Sequence, residues 1–302
     1  MSPKRPAFTL FQLLVVLAVL ALLFALFLPA VVKMRAAAAR AASQNNMRQI
    51  AIAVHNYQTT YDALPPGLDA KGFSAAAYLL PYIEQANLYQ QIDFKKSVNN
   101  EANKKLAATI IKVFVDPQDP VARVDDNFGP TNYLFCAGSE YSLSDNNGVF
   151  YRESKATLAK IINGTSNTVM VGETLKGDGG AKATDLRRQY VLLKKEDLKN
   201  LKDESGVKEW QDNMNVAGDR GKSWMDGRFL QGTFTGTRTV NDDKPDVDCG
   251  GAGGLSGLRA LGDATNIGMC DGSVRVVTAK VKLTIWKHMT NKDNREAFPL
   301  DF

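Results

Sequence analysis

Carboxylates, hydroxyls, thiols and imidazoles are the side chains from which a reactive or metal-binding site could be built. In this chain they are either crowded into one loop or scarce. Asn241, Asp242, Asp243, Asp246 and Asp248 fall within eight residues. Such an oxygen-rich run suits calcium, which takes roughly 6 to 8 oxygen ligands in flexible geometry. The spacing matches no EF-hand loop, so a solvated acidic turn is the stronger reading. The following Gly250-Gly251-Ala252-Gly253-Gly254 has the composition of a phosphate cradle but neither its Lys-Ser/Thr nor a strand before it, and reads as a flexible loop. Ser166, in Asn163-Gly164-Thr165-Ser166-Asn167-Thr168, would need a histidine base to act as a nucleophile. His55 and His288 are the two histidines, and neither sits in a partner motif. Both read as structural residues, and the chain does not read as an enzyme. Cys136, Cys249 and Cys270 allow one disulfide and one remaining thiol in an exported chain.

The elements that would hold these groups begin with a membrane-length helix. Residues 8–32 carry no charge, and at ~1.5 Å per residue 25 residues cross a hydrocarbon core of ~30 Å. A secretory signal peptide has an apolar core of ~7 to 15 residues, about half this length, although residues 36–42 offer small-residue cleavage matches. Lys4 and Arg5 on one side face Lys33, Arg35 and Arg40 on the other, so charge alone does not orient the span. Beyond it Met47, Ile50, Val54, Tyr57 and Tyr61 recur at spacings of three and four, one helical face. Pro65-Pro66-Gly67 ends the pattern. One helix of roughly 80 Å over residues 8–62, bent at Pro29, is expected. Its apolar stripe suits docking on the protein's own sheet better than a coiled coil.

Further helices are expected over residues 74–89 and 101–112, and a charged surface helix over 185–204. Short β-prone runs lie at 133–136, 148–151, 168–172 and 232–235. Residues 267–270 and 273–277 flank Asp271-Gly272, the dipeptide of a two-residue hairpin turn. Net charge is only +5, from 37 basic and 32 acidic residues scattered along the chain, which excludes the basic face that nucleic acid requires.

The junction Ala7-Phe8-Thr9-Leu10, with Leu13-Leu14-Val15-Val16 and Leu28-Pro29-Ala30-Val31, resembles the cleavage and methylation signal of type IV prepilins and type II secretion pseudopilins. The resemblance implies cleavage by a prepilin peptidase between Ala7 and Phe8. Ala7 replaces the usual Gly, and Gln12 replaces the Glu that pairs with a neighbouring subunit's amino terminus during assembly. Gln12 keeps a hydrogen-bonding amide but loses the charge. Pseudopilin-like proteins often hold calcium in a C-terminal loop, which here implies Asp243, Asp246 and Asp248. The ordered series Asn45-Asn46-Met47-Arg48-Gln49-Ile50, His55-Asn56-Tyr57, Pro65-Pro66-Gly67, Leu79-Leu80-Pro81-Tyr82-Ile83-Glu84-Gln85, Asn132-Tyr133, Gly172-Glu173 and Asp271-Gly272-Ser273-Val274 resembles a planctomycete-type pilin-like family with a domain of unknown function. Its members usually carry a His ten residues before the Asp-Gly turn, where this chain has Leu261. They often carry Cys where this chain has Val115, which leaves Cys136 without an obvious partner. Cys249 and Cys270 could pair across the loop 250–254, a geometry the sequence leaves open.

The expectation is an α+β, type IV pilin-like fold: a long N-terminal helix packed on a C-terminal antiparallel sheet with helical insertions. Residues 1–7 form the leader, 8–33 the transmembrane or filament-core helix, 34–64 its amphipathic continuation and 65–302 the exported body. The expected role is a single-pass inner-membrane pseudopilin-like subunit, N-terminus cytoplasmic. Its partners would be the membrane, prepilin peptidase and other pilin-like subunits, with no cofactor beyond the calcium considered. A non-polymerising anchored protein that binds polysaccharide or polypeptide is the alternative.

Overall fold

The computed structural model describes residues 10–201 and 214–295. Ala7, Phe8 and the leader lie outside them. Helix α1 (Leu10–Tyr61) is one continuous 52-residue element that carries Pro29 in its interior. Every described side chain from 10 to 38 is exposed. This stretch has the length and apolar composition of a membrane anchor or a signal sequence. Packing starts at Ser43, and Met47, Ile50, Ala51, Ala53 and Val54 are buried. The apolar stripe therefore docks on the body, except that Tyr61 at its end is exposed. Asp62 turns into the left-handed region (φ 54°), and the Pro65-Pro66-Gly67 segment follows.

The rest is built on two mixed sheets. The strands are β1 (Tyr133–Gly138), β2 (Val169–Glu173), β3 (Tyr190–Leu193), β4 (Val216–Ala217), β5 (Thr233–Thr235), β6 (Asp246–Cys249), β7 (Gly254–Leu255), β8 (Ala264–Met269) and β9 (Val274–Thr278). The larger sheet has the order β5-β1-β2-β8-β9 and the smaller β4-β3-β6-β7. Both depart from the expected antiparallel sheet, because β1 pairs with β5, and β3 with β6, in parallel.

Alternation along β1 explains why the larger sheet is covered on both faces. Tyr133 and Phe135 point into the core under α1, and Leu134 and Cys136 into a second core under α5 (Leu283–Thr290) with Trp286 and Met289. On β8, Ile267 and Met269 face α5, while Gly268 faces α1. A Cβ on Gly268 would stand 2.7 Å from Val171 Cγ1 and 3.2 Å from Met47 Cγ, so the missing side chain lets the helix lie close to the sheet.

Several local expectations are corrected. The helix expected over 74–89 is broken into α2 (Ala75–Leu79), a 3₁₀ segment (Leu80–Ile83) and α3 (Ala86–Gln91), with Glu84 at φ 62° between them. Pro81 sits at the start of the 3₁₀ segment, where its lack of an N–H ends α-helical bonding. Helix α4 (Glu101–Ala107) stops well before Lys112. Residues 148–151 form no strand; Phe150 N–H bonds singly to the Cys136 carbonyl. The described part of 185–204 is β3 followed by a 3₁₀ segment (Lys195–Asn200) in place of the charged helix. The hairpin β8-β9 forms, but its loop has three residues: the Gly272 N–H bonds to the Met269 carbonyl, and Gly272 alone takes positive φ (86°). This is a turn closed by a glycine bulge, and the Asp271 carboxylate accepts from the Ser273 N–H at 2.9 Å.

Candidate functional site

Between α1 and the α1-facing side of the larger sheet, polar side chains replace the apolar packing at one end. Glu173 closes β2 on the same face as Val171 and is buried. Its carboxylate accepts from the Ser43 hydroxyl of α1 and from Asn266 Nδ2 of β8 at 3.1 Å. Ser43 Oγ lies 3.1 Å from the Tyr133 hydroxyl, and Gln44 Nε2 donates to Asn266 Oδ1 at 3.3 Å. Burial, then the neighbouring Asp116 carboxylate, pushes the Glu173 acid from its ordinary 4.5 up to about 7. Burial likewise raises Asp116. These groups open into a cavity of about 440 Å³ lined by Arg40 and Gln44 of α1, by Asp116, and by the segment from Arg259 to Asn266.

A buried hydrogen-bond hub supports the floor. The Asn132 amide donates to Asp119 Oδ2 and to the Thr174 carbonyl, each at 2.9 Å, and its oxygen accepts from Asp116 N–H and Lys176 Nζ, also at 2.9 Å. Asp119 further pairs with Arg188 at 3.0 Å. Burial works to raise Asp119, but the Lys176 N–H, the Lys176 ammonium and Arg188 together hold it below the usual range.

The sequence-expected site residues do not converge. Asp243 is exposed, whereas Asp246 is fully buried between Arg220 Nη2 at 2.5 Å and Arg259 Nη2 at 2.6 Å. Asp248 is also buried, accepts from Gly251 N–H at 2.7 Å, and is pushed by that burial up to about 7. Asp243, Asp246 and Asp248 therefore do not share one site: two guanidinium groups already occupy Asp246, and no group of three or more His, Cys, Asp or Glu that could hold a metal is found among the described residues. Cys136, Cys249 and Cys270 are all buried as free thiols. Cys249 lies in the core of the smaller sheet, Cys270 beneath α1 and Cys136 in the core beneath α5. Gln12 and Pro29 lie on the exposed part of α1. Ser166 Oγ meets the adjacent Asn167 at 3.5 Å.

Leu261 stands half exposed on the wall of the Glu173 cavity. The position where the pilin-like resemblance expects His is thus in the same recess as Glu173 and Asp116, and the described lining contains no imidazole. A carboxyl pushed up to about 7, bonded to the Asn266 amide in a cavity that Arg40 also lines, can exchange a proton or hold a polar ligand. The partners of Glu173 are 130 and 93 residues away along the chain, so no local pattern marks its environment. Nothing in the sequence singled out Asp119, Lys176, Arg220 or Arg259, each a single polar residue in a different segment.

The model of a family described as a protein of unknown function (DUF1559) matches residues 32–284. The match begins where the uncharged run ends and takes in the docked half of α1, both sheets and the cavity. No curated protein and no solved structure matches the chain.

Proposed function

The chain belongs to the DUF1559 family, and we propose that this member is a membrane-held, pilin-like structural and interaction protein whose exported body meets partners outside the cytoplasm. One observation carries the reading: α1 is divided into an exposed apolar half, with no described side chain packed from 10 to 38, and a half docked through Met47, Ile50 and Val54. An exposed apolar helix of this length is stable only in lipid or against other apolar helices. The first half of α1 would lie in the inner membrane before assembly and against neighbouring copies in a filament after it. The resemblance at Ala7-Phe8 supports prepilin-type processing there, and at position 12 an uncharged amide stands in place of a carboxylate.

Mass spectrometry of the protein from membranes tests the processing step. The expected mature chain starts at Phe8; an intact Met1 or a start near Ala38 overturns it. Assembly is tested by Leu20→Cys cross-linking in the membrane, where a ladder of oligomers is expected. A second reading, an anchored binding protein that does not polymerise, is favoured by the Glu173 cavity. It is supported instead if Leu20→Cys stays monomeric while the protein remains membrane-bound.

A further inference from the structure

A second recess, of about 310 Å³, opens where the loop before α2 meets the turn between β6 and β7, and no residue of α1 lines it. Four cationic side chains line it, Lys71, Arg152, Lys195 and Arg228, and no carboxylate does. Asp226, behind it, pairs with Arg228 at 2.6 Å. Lys71, Arg152 and Lys195 have no carboxylate partner among the described residues. The lining therefore carries an excess of positive charge, offset in part by Asp226 and Asp219, which act on Arg228, and an anion entering the concavity would relieve the remaining repulsion.

The backbone brings the charges together. Gly250 and Gly251 take consecutive left-handed conformations, φ 60° and 73°. A Cβ on Gly250 would lie 3.4 Å from Lys195 Cβ, and one on Gly251 would lie 3.3 Å from Arg228 Cδ. The glycine turn therefore lets the stems of both cations rest against it, and both side chains line the recess together with Lys71 and Arg152. A neighbouring recess shares Arg152 and Lys195 and adds Lys155, together with Asp145 and Glu153.

We propose that this recess binds a phosphate or sulfate oxyanion, either free or as an ester on a polysaccharide. Arg152 supplies a planar fork, Arg228 the outer end of a guanidinium whose Nε and Nη2 are held by Asp226, and Lys71 and Lys195 supply point charges, the donor set that oxyanions favour. A recess of this volume also has room for the sugar ring that bears an ester. The inference does not depend on whether α1 assembles into a filament.

The test is titration calorimetry on the full chain in detergent micelles with four probes: inorganic phosphate, inorganic sulfate, dextran sulfate and neutral dextran. Dextran sulfate or a free anion is expected to bind and neutral dextran not to. Arg152→Ala with Lys195→Ala should weaken binding about tenfold or more, since each charge-assisted contact contributes about 1.5 to 3 kcal/mol and 1.4 kcal/mol is tenfold. Lys280→Ala, an exposed charge on another part of the surface, should leave it unchanged. Both altered cations are at the surface, so an unchanged melting temperature separates lost binding from lost folding, and Arg152→Lys with Lys195→Arg should restore most of the affinity. Dextran sulfate binding with no response to inorganic anions assigns the ester as ligand; the reverse assigns the free ion. Binding that is absent, or equal in wild type and the double alanine variant, overturns the proposal.

Discussion

Glu173 keeps its proton in the fold up to about pH 7, whereas the unfolded chain releases it near 4.5. Between these values the folded state binds more protons, so this residue makes stability fall as pH rises and contributes no further change above about 7. Asp248 acts with the same sign between 3.8 and about 7. Glu173→Gln keeps an acceptor for Ser43 and Asn266 and removes the charge. It should stabilise the protein at pH 8 by on the order of 3 kcal/mol and leave it nearly unchanged at pH 4, read by denaturant unfolding at both values. Equal effects at the two pH values would show that Glu173 does not titrate in this window. Asp246 has the opposite sign. Burial works to raise it, but Arg259 and Arg220 hold it below its ordinary 3.8, so its contribution is present above that value and lost as pH falls through the folded one. Asp246→Ala would leave two buried guanidinium groups without their carboxylate and should cost about 3–5 kcal/mol, measured by denaturant unfolding at pH 7. A cost below 1 kcal/mol would mean that the arginines find other partners. Neither role could be read from the sequence. Asp246 looks like one more acid in a polar loop until β6 carries it inward to arginines 26 residues before it and 13 after.

At the scale of elements, α1 meets the larger sheet through the one glycine on β8 that faces it. Gly268→Ala would force Val171 and Met47 apart and should destabilise by about 1–3 kcal/mol, the usual cost of overpacking. The same change at Gly262, whose added Cβ would meet nothing within 4 Å, should be close to neutral. Equal melting temperatures for these two variants would show that the helix does not bear on β8 there. Elements with a local pattern were legible in advance. The spacing of Met47, Ile50 and Val54 gave the docked stripe, and Asp271-Gly272 between apolar runs gave the hairpin. The smaller sheet was not legible, because its central pair joins Tyr190–Leu193 to Asp246–Cys249 in parallel across more than fifty residues, and such pairing leaves no turn signal. Leu186, Tyr190, Leu193 and Leu201 fall at near-helical intervals by sequence, yet Tyr190 and Val191 are adjacent and both buried, as in a strand covered on two faces. The cavity was illegible for a related reason. Ser43, Tyr133, Glu173 and Asn266 come from α1 and three different strands, and each alone looks like an ordinary polar residue.

For the whole molecule, the boundary between the exposed apolar stretch and the docked stretch falls inside a single helix, and shortened chains can locate it. Of the described side chains, a chain starting at Lys33 loses only exposed ones, and it keeps the ten residues that precede Ser43. It should melt at the temperature of the full protein and no longer co-sediment with lipid vesicles. A chain starting at Asn45 additionally removes Arg40, Ser43 and Gln44, and with them one wall of the Glu173 cavity and the hydroxyl that donates to its carboxylate. The helical stripe from Met47 onward remains, so the body should still fold. Glu173 loses a hydrogen bond that favours its charged form and also becomes more open to water. Those changes act in opposite directions on its acidity, because loss of the Ser43 bond raises the acid and solvent access lowers it. Burial is the larger cause of the shift in the intact chain. The acid should therefore move down toward 4.5, and the fall in stability between pH 4.5 and 7 should flatten compared with the Lys33 chain. Unfolding free energies of the two shortened chains at pH 5 and pH 8 measure this directly. An identical pH slope in both would mean that α1 covers the cavity without controlling the chemistry of Glu173, whereas a lower melting temperature already in the Lys33 chain would place part of the body's support in the apolar half of the helix.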